Sequence, residues 1–270
     1  MAYPRRIVCL TEETTETLYL LGEQERIVGI SGYTVRPPAA RRDKPKVSAF
    51  TSARIERILE LRPDLVLGFS DLQADIAAEL IRRGVAVHVF NQREIAGILA
   101  MIRLLGAMVG AAERAHRLAE RLAAGLEQVR ARAVRTCAVR ADRPRVFFEE
   151  WDDPLITGIG WVSELIEIAG GEDCCADLAR QPLARGRIVA PEAVIARRPD
   201  VIIGSWCGKR FRPERVAARP GWAALPAVQA GELHEIKSSL ILQPGPAALT
   251  DGLARLEQIL ARWRQARPPG

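Results

Sequence analysis

The chain has 270 residues, 48% of them hydrophobic and 5% aromatic, with 39 Lys plus Arg against 33 Asp plus Glu, a net charge of +6 and a pI near 9.4. That size and apolar content suffice for two ordinary cores, and no segment reaches the ~18 apolar residues a membrane-spanning helix needs, which argues against membrane insertion. Arginines are spread along every predicted helix rather than gathered on one face with aromatics, which argues against nucleic acid as a partner.

In chain order, Arg6 to Leu10 (RIVCL) predicts a strand and Thr11 to Gly22 a helix, with Thr11 or Thr14 as N-cap, acids in the first turn and Gly22 as terminator. Arg26 to Ile30 predicts a second strand, followed by a Pro- and Arg-rich loop as far as Phe50. A helix, a Pro-Asp turn and the strand Leu65 to Phe69 come next, then a helix over Leu72 to Arg82 and a strand over Val85 to Phe90. Asn91 with Glu94 three residues later reads as a capping box for a helix running to about Val109. Strand and helix alternation of this kind builds an open, mostly parallel α/β sheet.

From Ala111 to about Arg135, apolar residues at Ala111, Ala115, Leu118, Leu122, Leu126, Val129 and Ala133 recur at spacings of three and four, with charges on most other positions. This is one long amphipathic helix. The pattern then restarts: a strand over Arg145 to Phe148, a loop EEWDDPLITGIG, a helix over Trp161 to Ala169 and a polar, Cys-bearing loop to Gly186. A helix and strand to Gly204, the loop SWCGKRFRP, an Arg-rich helical turn, a strand near Leu233 to Ile236 and a helix over Ala247 to Arg264 complete it, before a frayed ARPPG tail.

An internal repeat ties the halves together. At an offset of 136 residues, Glu56, Arg62, Pro63, Asp64 and Gly68 recur as Glu192, Arg198, Pro199, Asp200 and Gly204; a separate, weaker echo pairs Glu16, Leu18 and Gly22 with Glu164, Ile166 and Gly170. The reading is two Rossmann-like lobes, residues 1–110 and 136–270, joined by the long helix 111–135, with a ligand cleft between the lobes. The two repeat strands should then lie in interior positions of separate sheets.

In such sheets ligands bind beyond the carboxyl ends of the strands, which points to Glu12, Glu13, Tyr33, Phe69, Ser70, Glu150, Trp151, Trp206, Cys207 and Lys209 as ligand-binding candidates. For Glu12, Glu13, Glu149 and Glu150 the competing reading is a solvated helix N-terminus. Trp151 and Trp206 sit in predicted loops, where a core role is less natural than for Trp161, Trp222 or Trp263. His88, His116 and His234 have no metal-ligand spacing. Cys207 near Lys209 is the one candidate nucleophile, with no His placed as its base, and packs more naturally as a small residue. Five cysteines, with no CxxC and the pair Cys174-Cys175 too close for a bridge, predict free thiols in a reducing compartment, the vicinal pair exposed. The start MAYPRRIVCL carries no apolar leader region, so as it stands the sequence predicts a cytoplasmic monomer, or a periplasmic or extracytoplasmic one if a leader has been removed.

R-P-D-L-V-L-G in one half and R-P-D-V-I-I-G in the other, flanking a long helix, resemble the helical-backbone class of ABC-importer substrate-binding proteins, carriers of vitamin B12, haem and iron-siderophores. Glu149 to Gly171, Ser205 to Lys209 (SWCGK), Arg219 to Val228 and Leu242 to Leu249 look most like the cobalamin-binding branch, and the similarity runs from Arg6 to Trp263. The resemblance implies non-catalytic capture of a cobalamin-like corrinoid between the lobes, with Tyr33, Phe69, Trp151 and Trp206 facing it, no required cofactor and an ABC permease as partner. Alternatives are haem or an iron-siderophore as ligand, or a cytosolic cofactor-handling enzyme using Cys207. The chain departs from the family at Glu12-Glu13, where Pro is frequent, and in the basic loop Lys209, Arg210 and Arg212.

Overall fold

The computed structural model describes residues 3–140 and 143–266, with the side chains of 137–140 outside the description. The fold consists of two compact α/β units, one formed by Met1–Gln92, Ala96–Leu122 and Gln243–Ala247, the other by Arg93–Ile95, Ala123–Leu242 and Ala248–Gly270. A long helix passes from one to the other.

The first unit contains β1 (Ile7–Cys9), α1 (Glu12–Leu20), β2 (Ile27–Ser31), α2 (Pro38–Asp43), β3 (Lys46–Ser48), α3 (Ile55–Glu60), β4 (Leu65–Phe69), α4 (Ala74–Arg82) and β5 (Val87–Phe90). Its sheet is parallel throughout, in the order β3-β2-β1-β4-β5. Ile7, Val8, Val66 and Leu67 are fully buried, as expected for continuous apolar runs covered on both faces. The segment between Gly32 and Phe50, predicted as loop, holds α2 and the edge strand β3. Pro38 at the first helical turn starts α2, and β3 is a three-residue strand, too short to show an alternating pattern.

Helix α5 (Ile95–Met108) follows, then α6 (Ala112–Arg140). Asn91 does not cap α5, which begins only at Ile95; the Ile95 N–H instead donates to Glu164 Oε2 at 2.7 Å. All seven residues of the predicted apolar stripe are buried, Ala111 just ahead of α6 and the other six on it. At 29 residues the helix is about 43 Å long.

The second unit contains β6 (Arg145–Asp152), β7 (Leu155–Thr157), α7 (Gly160–Ile168), β8 (Glu172–Asp173), α8 (Ala176–Ala179), α9 (Pro191–Arg197), β9 (Val201–Gly204), α10 (Pro213–Ala217), α11 (Pro226–Gln229), β10 (Leu233–Glu235), α12 (Ser238–Ile241) and α13 (Leu253–Gln265). The sheet order is β10-β9-β6-β7, with β8 beside β6 and only β7 antiparallel. Two predicted loops are therefore structured. EEWDDPLIT is the end of β6 and its hairpin partner β7, and the stretch after Gly171 is drawn into the sheet edge, where Cys174 N–H donates to Val146 O at 2.8 Å. That pairing buries Cys175 and half-buries Cys174, contrary to the exposure expected of them. Cys9, Cys174, Cys175 and Cys207 are free thiols, and the side chain of Cys137 lies outside the described residues, as do the last four residues of the tail.

The repeat strands occupy equivalent places in separate sheets, β4 between β1 and β5, and β9 between β10 and β6. Each Arg before Pro is left-handed, Arg62 at φ 46° and Arg198 at φ 47°. The turn aims each Asp at the start of the neighbouring strand: Asp64 accepts the N–H groups of Arg5 and Arg6, and Asp200 accepts that of Arg145. The weaker echo is structural too. Glu16 and Glu164 stand at the same position of α1 and α7, and each accepts a backbone N–H from a distant segment of its own unit, Ala247 at 3.0 Å and Ile95 at 2.7 Å.

Candidate functional site

In the first unit the candidates cluster at the carboxyl ends of β1, β2 and β4. Glu12 and Glu13 form the first turn of α1 yet are almost fully buried, so the solvated-helix-terminus reading fails for both. The Glu12 carboxylate accepts Val35 N–H at 2.8 Å, and Glu13 accepts the Thr11 hydroxyl at 2.6 Å; the second oxygen of Glu13 has no hydrogen-bond partner among the described residues. Glu16 accepts Arg36 Nε at 2.9 Å as well as Ala247 N–H. A helix N-terminus favours carboxylates, but desolvation wins here: burial and then the neighbouring acids push both Glu12 and Glu13 up to about 7. A proton is thus held more tightly in the folded chain than in the unfolded one, whose carboxyls titrate near 4.5. The associated stability is fully present below that pH and is lost as pH rises through about 7. Glu13→Gln should accordingly match the parent in denaturant melts at about pH 4 and exceed it by on the order of 1–2 kcal/mol at about pH 8. Equal stability of the two proteins at pH 8 would count against a protonated Glu13.

Over these acids lies an apolar rim. Tyr33 is 53% exposed, Val35 38% and Leu72 53%, each a few residues beyond the carboxyl end of β2 or β4. Val35 and Leu72 gave no signal in the sequence, since a lone apolar residue in a loop matches no periodic pattern. Phe69 and Ser70 lie just inside, both buried. Ser70 is left-handed at φ 65° and its hydroxyl accepts Leu72 N–H. The rim is stapled by Gln73, whose fully buried amide accepts Phe69 N–H at 2.9 Å and donates to Phe50 O at 2.9 Å and Leu10 O at 3.4 Å. One side chain thereby fixes the exits of three strands, a role visible only once the sheet order is known.

In the second unit, β6 delivers Glu149, Glu150, Trp151 and Asp152. None of these acids starts a helix. Glu149 is fully buried and receives both Arg219 guanidinium arms, at 2.6 and 2.7 Å, together with Trp206 Nε1 at 2.9 Å. Burial pushes its carboxyl pKa up, against the downward pull of Arg219. Glu150 pairs with the buried Arg187 at 2.5 Å, and Asp152 with Lys209. Trp206 is only 4% exposed and packs edge-on against Phe211, ring centroids 5.0 Å apart, within the core of this unit. The expectation that it stands open in a loop is thus not met, because Glu149 and Phe211 draw it inward. Trp151 is half-buried and the more open of the two. Lys209 Nζ lies 3.9 Å from the centroid of its ring. Cys207 is exposed. Burial pushes the thiols of Cys9 and Cys174 up to about 12 and that of Cys175 up to about 11, which makes all three poor nucleophiles. No group of three His, Cys, Asp or Glu able to hold a metal occurs among the described residues.

The sequence pattern of the family described as "Periplasmic binding protein" matches residues 7–240. A vitamin B12-binding protein of Yersinia pestis is 28% identical over 216 residues, covering 79% of this chain and 73% of that protein. Among solved structures, the periplasmic vitamin B12 binding protein of Vibrio cholerae is 23% identical with a TM-score of 0.75, covering 98% of this chain and all of that one. A periplasmic heme binding protein from Pseudomonas aeruginosa is 21% identical with a TM-score of 0.82, covering 99% and 95%. At these identities the two structures share the fold.

Proposed function

Because the chain belongs to the periplasmic binding protein family, whose pattern spans residues 7–240, we propose that it is the substrate-binding component of an ABC importer and captures a cobalamin-like corrinoid without catalysis. The observation that carries the reading is the chemistry at the two sheet ends: open apolar residues Tyr33, Val35 and Leu72 in one unit and Trp151 in the other, with Glu12 and Glu13 buried and Glu16, Glu149, Glu150 and Asp152 each paired with a cation. A corrinoid presents a broad apolar ring edged with amides, and rigid aromatic surface binds such a face with little ordering cost. The vitamin B12-binding relative supports the same ligand. In this reading the ligand-binding residues are Glu12, Glu13, Tyr33, Phe69 and Ser70 in the first unit and Glu150, Trp151, Trp206, Cys207 and Lys209 in the second. The proposed division stays 1–110, 111–135 and 136–270, with an ABC permease as partner.

The test is an absorbance titration with cyanocobalamin on the parent and on Trp151→Ala. Removing the half-buried indole should weaken binding about tenfold, the loss expected of a truncated aromatic anchor. An unchanged affinity would take Trp151 out of the site. A second reading, haem, is favoured by one observation: the exposed phenol of Tyr33, an oxygen donor of the kind that ligates ferric haem. It predicts a Soret shift on adding haemin that is lost in Tyr33→Phe.

A further inference from the structure

The acids of β6 are spent one by one on cations from three later segments. Glu149 holds Arg219, Glu150 holds Arg187 and Asp152 holds Lys209. Each acid of β6 from Glu149 to Asp152 is thereby matched by a cation, although the sequence there reads as an acid run facing a basic loop, and Asp153, Arg210 and Arg212 beside them are exposed. Lys209 is the most exposed of the three cations, with 39% of its side chain open against 18% for Arg219 and 3% for Arg187. Its ammonium sits 3.9 Å from the Trp151 ring centroid and 5.3 Å from that of Trp206, while also paired with Asp152. At an open site the indole faces contribute about 0.5–1 kcal/mol and an exposed ion pair a similar amount, so Asp152 and the two indoles together fix the ammonium there. In the first unit Glu12 and Glu13 are buried and Glu16 is paired with Arg36.

We propose that Lys209 is a specificity-determining residue: Asp152 holds its charge on Trp151 and so withholds it from a flat ligand bearing carboxylates, leaving the surface to an uncharged, amide-edged one. This rests on the ligand reading above but has a test that does not need that ligand. Trp161, Trp206, Trp222 and Trp263 are at most 4% exposed, so collisional quenching of tryptophan fluorescence reports mainly on Trp151. Asp152→Asn, which keeps shape and removes charge, should raise quenching by iodide about twofold through an uncompensated nearby cation. Quenching by neutral acrylamide should not change, and Asp152→Asn/Lys209→Met should return iodide quenching to the parent value.

In the ligand arm, Asp152→Asn should bind haemin, which carries two propionates, about tenfold more tightly than the parent, the gain of one charge-assisted contact. Cyanocobalamin affinity should stay within about threefold, since its ring edge offers amides rather than carboxylates. Unchanged iodide quenching overturns the inference, and so does an unchanged haemin affinity or a haemin gain that survives Lys209→Met. If the parent and variants bind no cyanocobalamin while iodide and haemin respond as stated, the corrinoid reading fails and the role of Lys209 stands.

Discussion

Glu149→Ala should destabilise the protein by about 3–5 kcal/mol, the cost of stranding a buried charge whose partner has been removed. The carboxylate is fully buried and is shared between Arg219, whose side chain is 18% exposed, and the indole N–H of Trp206. Arg219 also lies over the Trp222 ring, 4.6 Å from its centroid, and Trp222 is itself fully buried. Loss of Glu149 therefore unpairs a guanidinium and an indole donor together, in the middle of the second core. The two-oxygen acceptor matters as much as the charge, so Glu149→Gln should cost less, keeping one acceptor for Trp206. Removing both partners in Glu149→Ala/Arg219→Ala should recover part of the loss, because no uncompensated charge then remains buried. Denaturant melts of the parent, these three variants and the single variant Arg219→Ala give the result. Additive losses in the double variant would show that the two residues stabilise the fold independently.

The second large effect falls on the glycine that closes each repeat. A Cβ at Gly204 would lie 1.9 Å from Phe211 Cδ2 and 2.1 Å from Cε2, so Gly204→Ala must displace a buried ring that itself packs on Trp206. Overpacking of this kind should cost about 2–3 kcal/mol. Gly125, on α6, has nothing within 4 Å of an added Cβ, and Gly125→Ala should instead stabilise by about 0.5–1 kcal/mol through helix propensity. Equal melting behaviour of the two variants would remove the packing explanation.

That glycine shows what the sequence could convey. Gly68 and Gly204 stand at the same place in the repeat, and at each a side chain lies on the backbone, the Gln73 amide 2.9 Å from a would-be Cβ in one case and the Phe211 ring in the other. The repeat was legible because one structural problem, a left-handed Arg-Pro turn with an Asp tied to the next strand, was solved twice with the same residues. The stripe of α6 was legible because seven apolar residues keep a helical period over 23 positions.

What stayed hidden depends on partners distant in sequence. Glu149 and Glu150 resemble surface acids until Arg219 and Arg187, 70 and 37 residues later, are seen against them. Trp206 reads as a loop aromatic until Phe211 and Glu149 enclose it. Short elements such as β3 and β7 have three residues each, too few for periodicity to register. In the candidate site, the sheet-end rule located Glu12, Tyr33, Phe69 and Trp151, but could not tell an exposed Tyr33 from a buried Glu12. Gln73 had no local signal, since its three contacts come from three strand exits.

The central claim is capture of a corrinoid, and the measurement that tests it most directly is a calorimetric titration of the whole chain with cyanocobalamin at pH 7, repeated with haemin and a ferric hydroxamate siderophore. The account predicts saturable one-to-one binding of cyanocobalamin at micromolar affinity or tighter, on the order of −8 kcal/mol or more, with haemin and the siderophore at least about tenfold weaker. Saturable binding of haemin or the siderophore with none of cyanocobalamin would contradict it.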